Sequence, residues 1–213
     1  YSGFFRTTFD NDCSVNENCV GHFVNAPCSW TTFADSQFYW NNITLASAGP
    51  LEPNHGYSYG DMIQIIMAAN ATKSDIIFWW WQPDILPQEF ENTDMEFVRV
   101  TLPRSTEECI EYRASGALDK CSTDIWERRG DPIGACDYKI GGLKKIMSKG
   151  LQLSTYSTNE VERSPALEVL KNVELPELAL DEIFQKWFAL GIDRMGYDGR
   201  EAVCDWVFEH AEY

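Results

Sequence analysis

Histidine, positive charge and long apolar runs are what this chain has least of. Its three histidines, His22, His55 and His210, are far apart, and no C-x-x-C accompanies them. That argues against zinc, and neither a metal nor a cofactor is expected. Lys and Arg number 17 against 33 Asp and Glu, a formal charge of −16. Phosphate backbones need clustered cations, so nucleic acid is not an expected partner. The surplus acid is compatible with attracting a small cation, although solubility is the commoner reason for it. The longest apolar run, residues 76–81, is strand-sized and far below membrane-spanning length. The chain also lacks G-x-S-x-G, H-E-x-x-H, a P-loop, G-x-G-x-x-G and any repeat. Glu107-Glu108 and the acids at 89, 91, 94 and 96 read as a solvated face, because nothing places them around a bond. No enzyme is expected.

Cysteine, by contrast, is plentiful. The seven lie at 13, 19, 28, 109, 121, 136 and 204, and Asn42-Ile-Thr44 and Asn70-Ala-Thr72 are sequons. Together they point to disulfides, candidate glycosylation at Asn42 and Asn70, and a secreted, extracellular or lumenal protein. Being odd in number, the cysteines leave one thiol free or bonded to another segment.

Local patterns alternate between strand and helix. A disulfide-pinned, mostly irregular segment carries a short strand near residues 21–24. A loosely patterned helix over 30–41, capped by Thr31 or Thr32, leads to a short strand at 43–46. After a Pro- and Gly-rich loop at 49–56, Met62, Ile65, Ile66 and Ala69 mark an amphipathic helix capped by Ser58 or Asp61. A buried strand at 76–81 follows, then an alternating strand at 96–102. Ser105 and Glu108 form a capping box for a helix to about residue 115. Residues 116–135 read as loop, 135–140 as a short strand and 142–149 as a helix closed by Gly150. The helical last third has Pro165 after Ser164, an amphipathic helix over 178–190 stopped by Gly191, and a final helix capped by Asp198. In that final helix Ala202, Val203, Trp206 and Val207 are expected inward. The fold class is α/β with a helical C-terminal third.

Eight tryptophans stand out, three of them consecutive in Asp75-Ile-Ile-Phe-Trp-Trp-Trp-Gln-Pro-Asp84. Strand alternation sends Trp79 and Trp81 to one face and Trp80 to the other. Indoles at a strand exit need a deep core or a ligand to cover them. With Asp84 three residues after Trp81, they suit an aromatic cage for an organic cation. Trp30 and Tyr59 are the next candidates, and Asp84 is the expected charged anchor.

The order of short motifs resembles the substrate-binding proteins of osmoprotectant ABC importers, the glycine betaine/choline family. The resemblance runs over Gly56-Tyr57, Ala68-Ala69, Trp81-Gln82-Pro83, Leu102-Pro103, Cys136-Asp-Tyr138, Ser164-Pro-Ala166 and Glu201-Ala-Val-Cys-Asp-Trp206. It implies a type 2 periplasmic-binding fold, with α/β lobes closing on a quaternary ammonium ligand. Trp81 falls on the family's W-x-P tryptophan. Asp84 stands where many members have His, which favours ligands with net positive charge. On this reading residues 56–213 are the substrate-binding-like domain. Residues 1–55 are a pinned segment of the same domain or a remnant of a first lobe, too short to complete it. The sequons and cysteines look eukaryotic.

The expected function is therefore non-enzymatic binding of a betaine- or choline-type solute, as a solute-binding or sensor ectodomain. Possible further partners are other chains or domains of a membrane-associated or extracellular assembly. The alternative is a structural or interaction module that keeps the fold without the ligand. Expected disulfides are Cys13–Cys19 and Cys109–Cys121, by proximity, and Cys136–Cys204, with Cys28 unassigned.

Overall fold

The computed structural model describes residues 8–12, 14–139, 141, 144, 146–153, 164–190 and 198–210. The chain divides into two compact units, one of Tyr1–Trp81 and Phe97–Ile140, the other of Gln82–Glu96 and Gly141–Tyr213. The chain is mixed α and β in the coarse sense, but helix dominates: among the described residues the named strands are two short ones, both in the first unit.

The first unit is built on a small parallel sheet. Strand β1 (Gly21–His22) pairs in parallel with β2 (Leu45–Ala46), Gly21 opposite Leu45 and His22 opposite Ala46. Helix α1 (Ala34–Trp40) makes the crossover. On its other side the same segment forms a parallel bridge, Val24 to Phe78. The Val24 amide donates to the Ile77 carbonyl (3.1 Å), and the Trp79 amide to the Val24 carbonyl (2.9 Å). The strand expected over 76–81 is reduced to this bridge. Regular pairing stops at Trp79, and the next two residues are free of strand geometry.

Helix α2 (Tyr59–Thr72) is the longest element of this unit and forms as its pattern dictates. Met62, Ile65, Ile66 and Ala69 are its buried residues. Each large side chain so buried contributes about 1.5–3 kcal/mol. The Ser58 hydroxyl accepts from the Asp61 amide (3.2 Å) at the start, and Lys73 ends the helix with φ +53°. Tyr57, Met62, Ile65, Val24 and Ala26 form the core, with Trp30, Ile76, Phe78, Trp79 and Trp80 packed against it. Before α2 the loop folds back on itself through a Leu51–Gly56 bridge. A Cβ at Gly56 would collide with the backbone of Ala26 and Pro27, so this approach requires glycine.

Residues 96–102, expected as a strand, are irregular. Their alternation finds no partner strand, and Val98 and Val100 are 83% and 61% exposed. The next cap is Thr106 rather than Ser105: its hydroxyl accepts from the Cys109 amide (3.1 Å) and opens α4 (Glu107–Tyr112), shorter than expected. The expected loop 116–135 contains α5 (Ala117–Lys120), α6 (Ile125–Arg129) and a 3-10 turn, Pro132–Gly134. Asp124 and Asp131 cap the last two through their carboxylates. Residues 135–139, expected as a strand, are irregular.

Two disulfides among the described residues fix this unit, and they correct the expected pairing. Cys28 bonds Cys121 and Cys109 bonds Cys136, with Cα separations of 5.2 and 6.4 Å, inside the range a disulfide spans. Cys109 and Cys121 are close only in sequence. Cys109 is the buried residue of α4, bonded to Cys136, while Cys121 ends α5 beside Cys28. Cys136 is therefore not bonded to Cys204, which is free and exposed. Cys19 is disulfide-bonded, and Cys13 lies outside the described residues.

The described residues of the second unit form helices and no strand. The helices are α3 (Ile85–Glu89), α7 (Lys149–Leu153), α8 (Pro165–Asn172), α9 (Glu177–Ala189) and α10 (Arg200–His210). Helix α9 packs on both α10 and α3. The helix expected over 142–149 is displaced: residues 144 and 146–148 are not helical, and the turn begins at Lys149. Gly191 lies outside the described residues. In α10 Ala202 is buried and Trp206 half-buried, but Val203 and Val207 are 43% and 50% exposed, so its inward face is narrower than expected. No helix among the described residues is long and apolar enough to cross a membrane.

Candidate functional site: an aromatic cluster

Trp30, Tyr59, Trp79, Trp80 and Trp81 come from three separate stretches of chain and meet in the first unit. Trp30 follows the turn after Cys28, Tyr59 opens α2, and the three consecutive tryptophans leave the Phe78 bridge. Trp30 lies 5.8 Å from Trp79 and 5.6 Å from Trp81, centroid to centroid. Tyr59 lies 5.7 Å from Trp80 and 5.9 Å from Trp81. Trp80 and Trp81 stack at 4.6 Å with planes 11° apart. Ring pairs at such spacings contribute about 0.5–1.5 kcal/mol beyond area burial. The four indoles are half-buried and Tyr59 is 40% exposed, so the cluster still presents rings to solvent.

The alternation expected for the three tryptophans does not hold. Trp81 touches both Trp79 (5.6 Å) and Trp80, which strand geometry would put on opposite faces. Because pairing ends at Trp79, the backbone beyond it is free to turn the next two rings together.

One residue from a distant stretch of chain, Tyr138, orders the cluster. The Trp79 indole N–H donates to the Tyr138 hydroxyl (3.0 Å), which also accepts from the Phe33 amide (3.3 Å). Burial raises the Tyr138 pKa above the ordinary phenol value, outweighing these donors and nearby Arg113, so the hydroxyl stays neutral. Arg113 lies over the Phe33 ring (4.4 Å) and donates to the carbonyls of Cys136 (3.1 Å) and Asp137 (2.6 Å). The disulfide and this guanidinium thus hold the segment that brings Tyr138 under Trp79. The sequence places Cys136-Asp-Tyr138 in a short strand and in the family resemblance, with no role in the cluster. The long separation of Tyr138 from Trp79 leaves no local pattern to reveal the contact.

Asp84 belongs to the second unit and caps α3, its carboxylate accepting from the Leu86 amide (2.9 Å). Asn42 is exposed in the turn after α1 with φ +53°, a conformation asparagine tolerates. Asn70 is half-buried in the last turn of α2. Among the described residues no group of His, Cys, Asp and Glu could hold a metal ion.

No protein-family model matches this chain, and no curated protein or solved structure is significantly similar to it.

Proposed function

We propose that the chain is a non-enzymatic binding protein for a small quaternary ammonium or amine solute, recognised by the aromatic cluster. The observation that carries this is the convergence of five rings, from three stretches of chain, on one half-exposed patch. Each ring face presented to a desolvated cation contributes about 0.5–2 kcal/mol. With Trp80 and Trp81 only 4.6 Å apart, no cation fits between them, so it would sit on the outer faces of the stack. The chain's charge of −16 favours approach of cations over anions. The motif order keeps betaine and choline as the leading ligands, in a divergent relative of the osmoprotectant-binding family. Two disulfides are compatible with a secreted or lumenal setting.

A second reading has its own support. The rings already touch one another, and the Trp79 N–H is bonded within the protein. That favours a structural role, in which the cluster is core and the surface joins an assembly.

Thermal unfolding of the non-reduced protein with betaine, choline, carnitine, proline betaine and simple amines separates the two. A ligand at about 100 times its Kd stabilises the native state by about 2.7 kcal/mol. A selective shift that Trp81→Ala abolishes is the expected result. A well-folded protein that responds to none of these ligands, or a response unchanged in Trp81→Ala, would leave the structural role.

A further inference from the structure

Three cations, Arg99, Arg104 and Lys139, gather around one groove of the first unit, although the chain as a whole is strongly acidic. The groove holds about 460 Å³, a small-molecule volume. Its walls are the irregular segments 99–105 and 137–139. The Asp137 amide ties them by donating to the Pro103 carbonyl (2.8 Å), and the Cys109–Cys136 disulfide anchors the second. We propose that this groove binds a small oxyanion, a carboxylate or a phosphate- or sulfate-type group.

The charges around it leave cationic groups unmatched. Asp137 is the one acid in the lining, and its carboxylate is already engaged. It accepts from Arg99 Nη2 (3.2 Å), the Leu102 amide (3.4 Å) and the Tyr138 amide (2.8 Å). Arg99 spends one terminal nitrogen there and keeps further donors. Lys139 pairs with Glu107 at 2.9 Å, but the two side chains are 60% and 87% exposed, so water competes for that pair. Arg104 is exposed and makes no ion pair or hydrogen bond among the described residues.

The second observation is Ser105. It lines the groove, and its Oγ is shielded from solvent with no hydrogen-bond partner. Buried hydroxyls are normally satisfied; rotation of this one into the groove would let an oxyanion accept it. Guanidinium forks match the paired oxygens of carboxylate and phosphate. The Tyr138 hydroxyl is taken by Trp79 and the Phe33 amide, so its ring serves only as wall. The groove differs from the aromatic cluster in ligand charge and does not depend on the cation reading.

The test is isothermal titration of the non-reduced full chain at low ionic strength with inorganic phosphate, sulfate, acetate and citrate, with chloride as control. Saturable binding of at least one oxyanion is expected, about tenfold weaker in Arg104→Glu, with a smaller loss in Ser105→Ala. Whether phosphate and sulfate or the carboxylates bind tells the two chemistries apart. Lys139→Gln, also on an exposed side chain, gives a second check on charge. No saturable binding by any probe, or binding unchanged in Arg104→Glu and Lys139→Gln, overturns the proposal. Choline titrated into the same variants reads the aromatic cluster, so failure of one site is distinguishable from failure of the other.

Discussion

In the first unit, side chains reach across irregular segments to backbone carbonyls; in the second, helices satisfy their own backbone and meet through side chains. Gln37 of α1 and its C-cap Asn41 donate to the Cys136 and Ala135 carbonyls (2.9 and 2.8 Å). Asn54 donates to Ala26 (2.9 Å), and Lys120 to Trp30 (2.6 Å). Arg128, buried, joins Asp35 (2.7 Å) to the Ser122 carbonyl (2.8 Å). In the second unit Trp206 donates to Glu182 (2.7 Å) and Lys186 pairs with Glu209 (2.7 Å), linking α9 and α10 through side chains alone. The described disulfides lie in the first unit, and the described free thiol, Cys204, in the second. A chain with little sheet keeps buried backbone groups paired in one of these two ways.

The largest expected effect separates them by covalent bonds. Cys28→Ala with Cys121→Ala opens a link across 93 residues, worth about 4 to 5 kcal/mol in the chain-entropy description. Urea unfolding should show that loss. Hydrogen exchange should locate it in α1, α2 and α6, with α9 and α10 keeping their protection. Equal loss in both units would mean that they unfold as one cooperative body and that the contrast has no energetic content.

Next comes Tyr138→Phe. It leaves the Trp79 indole N–H and the Phe33 amide without their acceptor, an expected cost of about 2–3 kcal/mol. Near-UV circular dichroism should change with it, because the ring that positions Trp79 has lost its hold. An unaltered tryptophan signal would show that packing alone fixes the cluster. In the second unit the matching probe is Ala202→Leu, at a fully buried position of α10. Overpacking there should cost about 1–3 kcal/mol, with α9 and α10 losing protection and the Trp79 signal unchanged.

The same contrast explains what the sequence revealed. Elements carried by local periodicity were legible: Met62, Ile65, Ile66 and Ala69 set the buried face of α2, and Ser58 its start. The short strands at 21–24 and 43–46 were found too, because turns and apolar pairs bound them. The strand at 96–102 was not, since alternation records a preference for extended backbone and says nothing of whether a partner strand exists. Five of the six proposed ligand residues do meet, because large aromatics beside loops have few other places to bury. Tyr138, Arg113 and the Cys28–Cys121 and Cys109–Cys136 pairs were out of reach. Each depends on contacts between residues 23 to 105 positions apart, and no window of sequence holds both partners.

The smallest expected effect tests a polar contact of the first unit by pH. His22 Nε2 lies 3.0 Å from the Tyr57 hydroxyl, and burial lowers the His22 pKa below the ordinary imidazole value. A group whose folded pKa is depressed binds fewer protons when folded than when unfolded. Above the ordinary imidazole value, about 6.5, both states are neutral and His22 adds no pH dependence. As pH falls through that value the unfolded chain takes up the proton first, so stability declines, levelling off only below the folded pKa. The ring is partly open to solvent, so the decline should be shallower than any effect above. Urea midpoints at pH 7.5 and 5.5 should differ for the wild-type chain and differ less for His22→Gln, whose amide still meets Tyr57. Exchange in α9 and α10 should show no share of the difference. An equal pH slope in His22→Gln would assign it to the carboxylates of this acidic chain and remove His22 from the account.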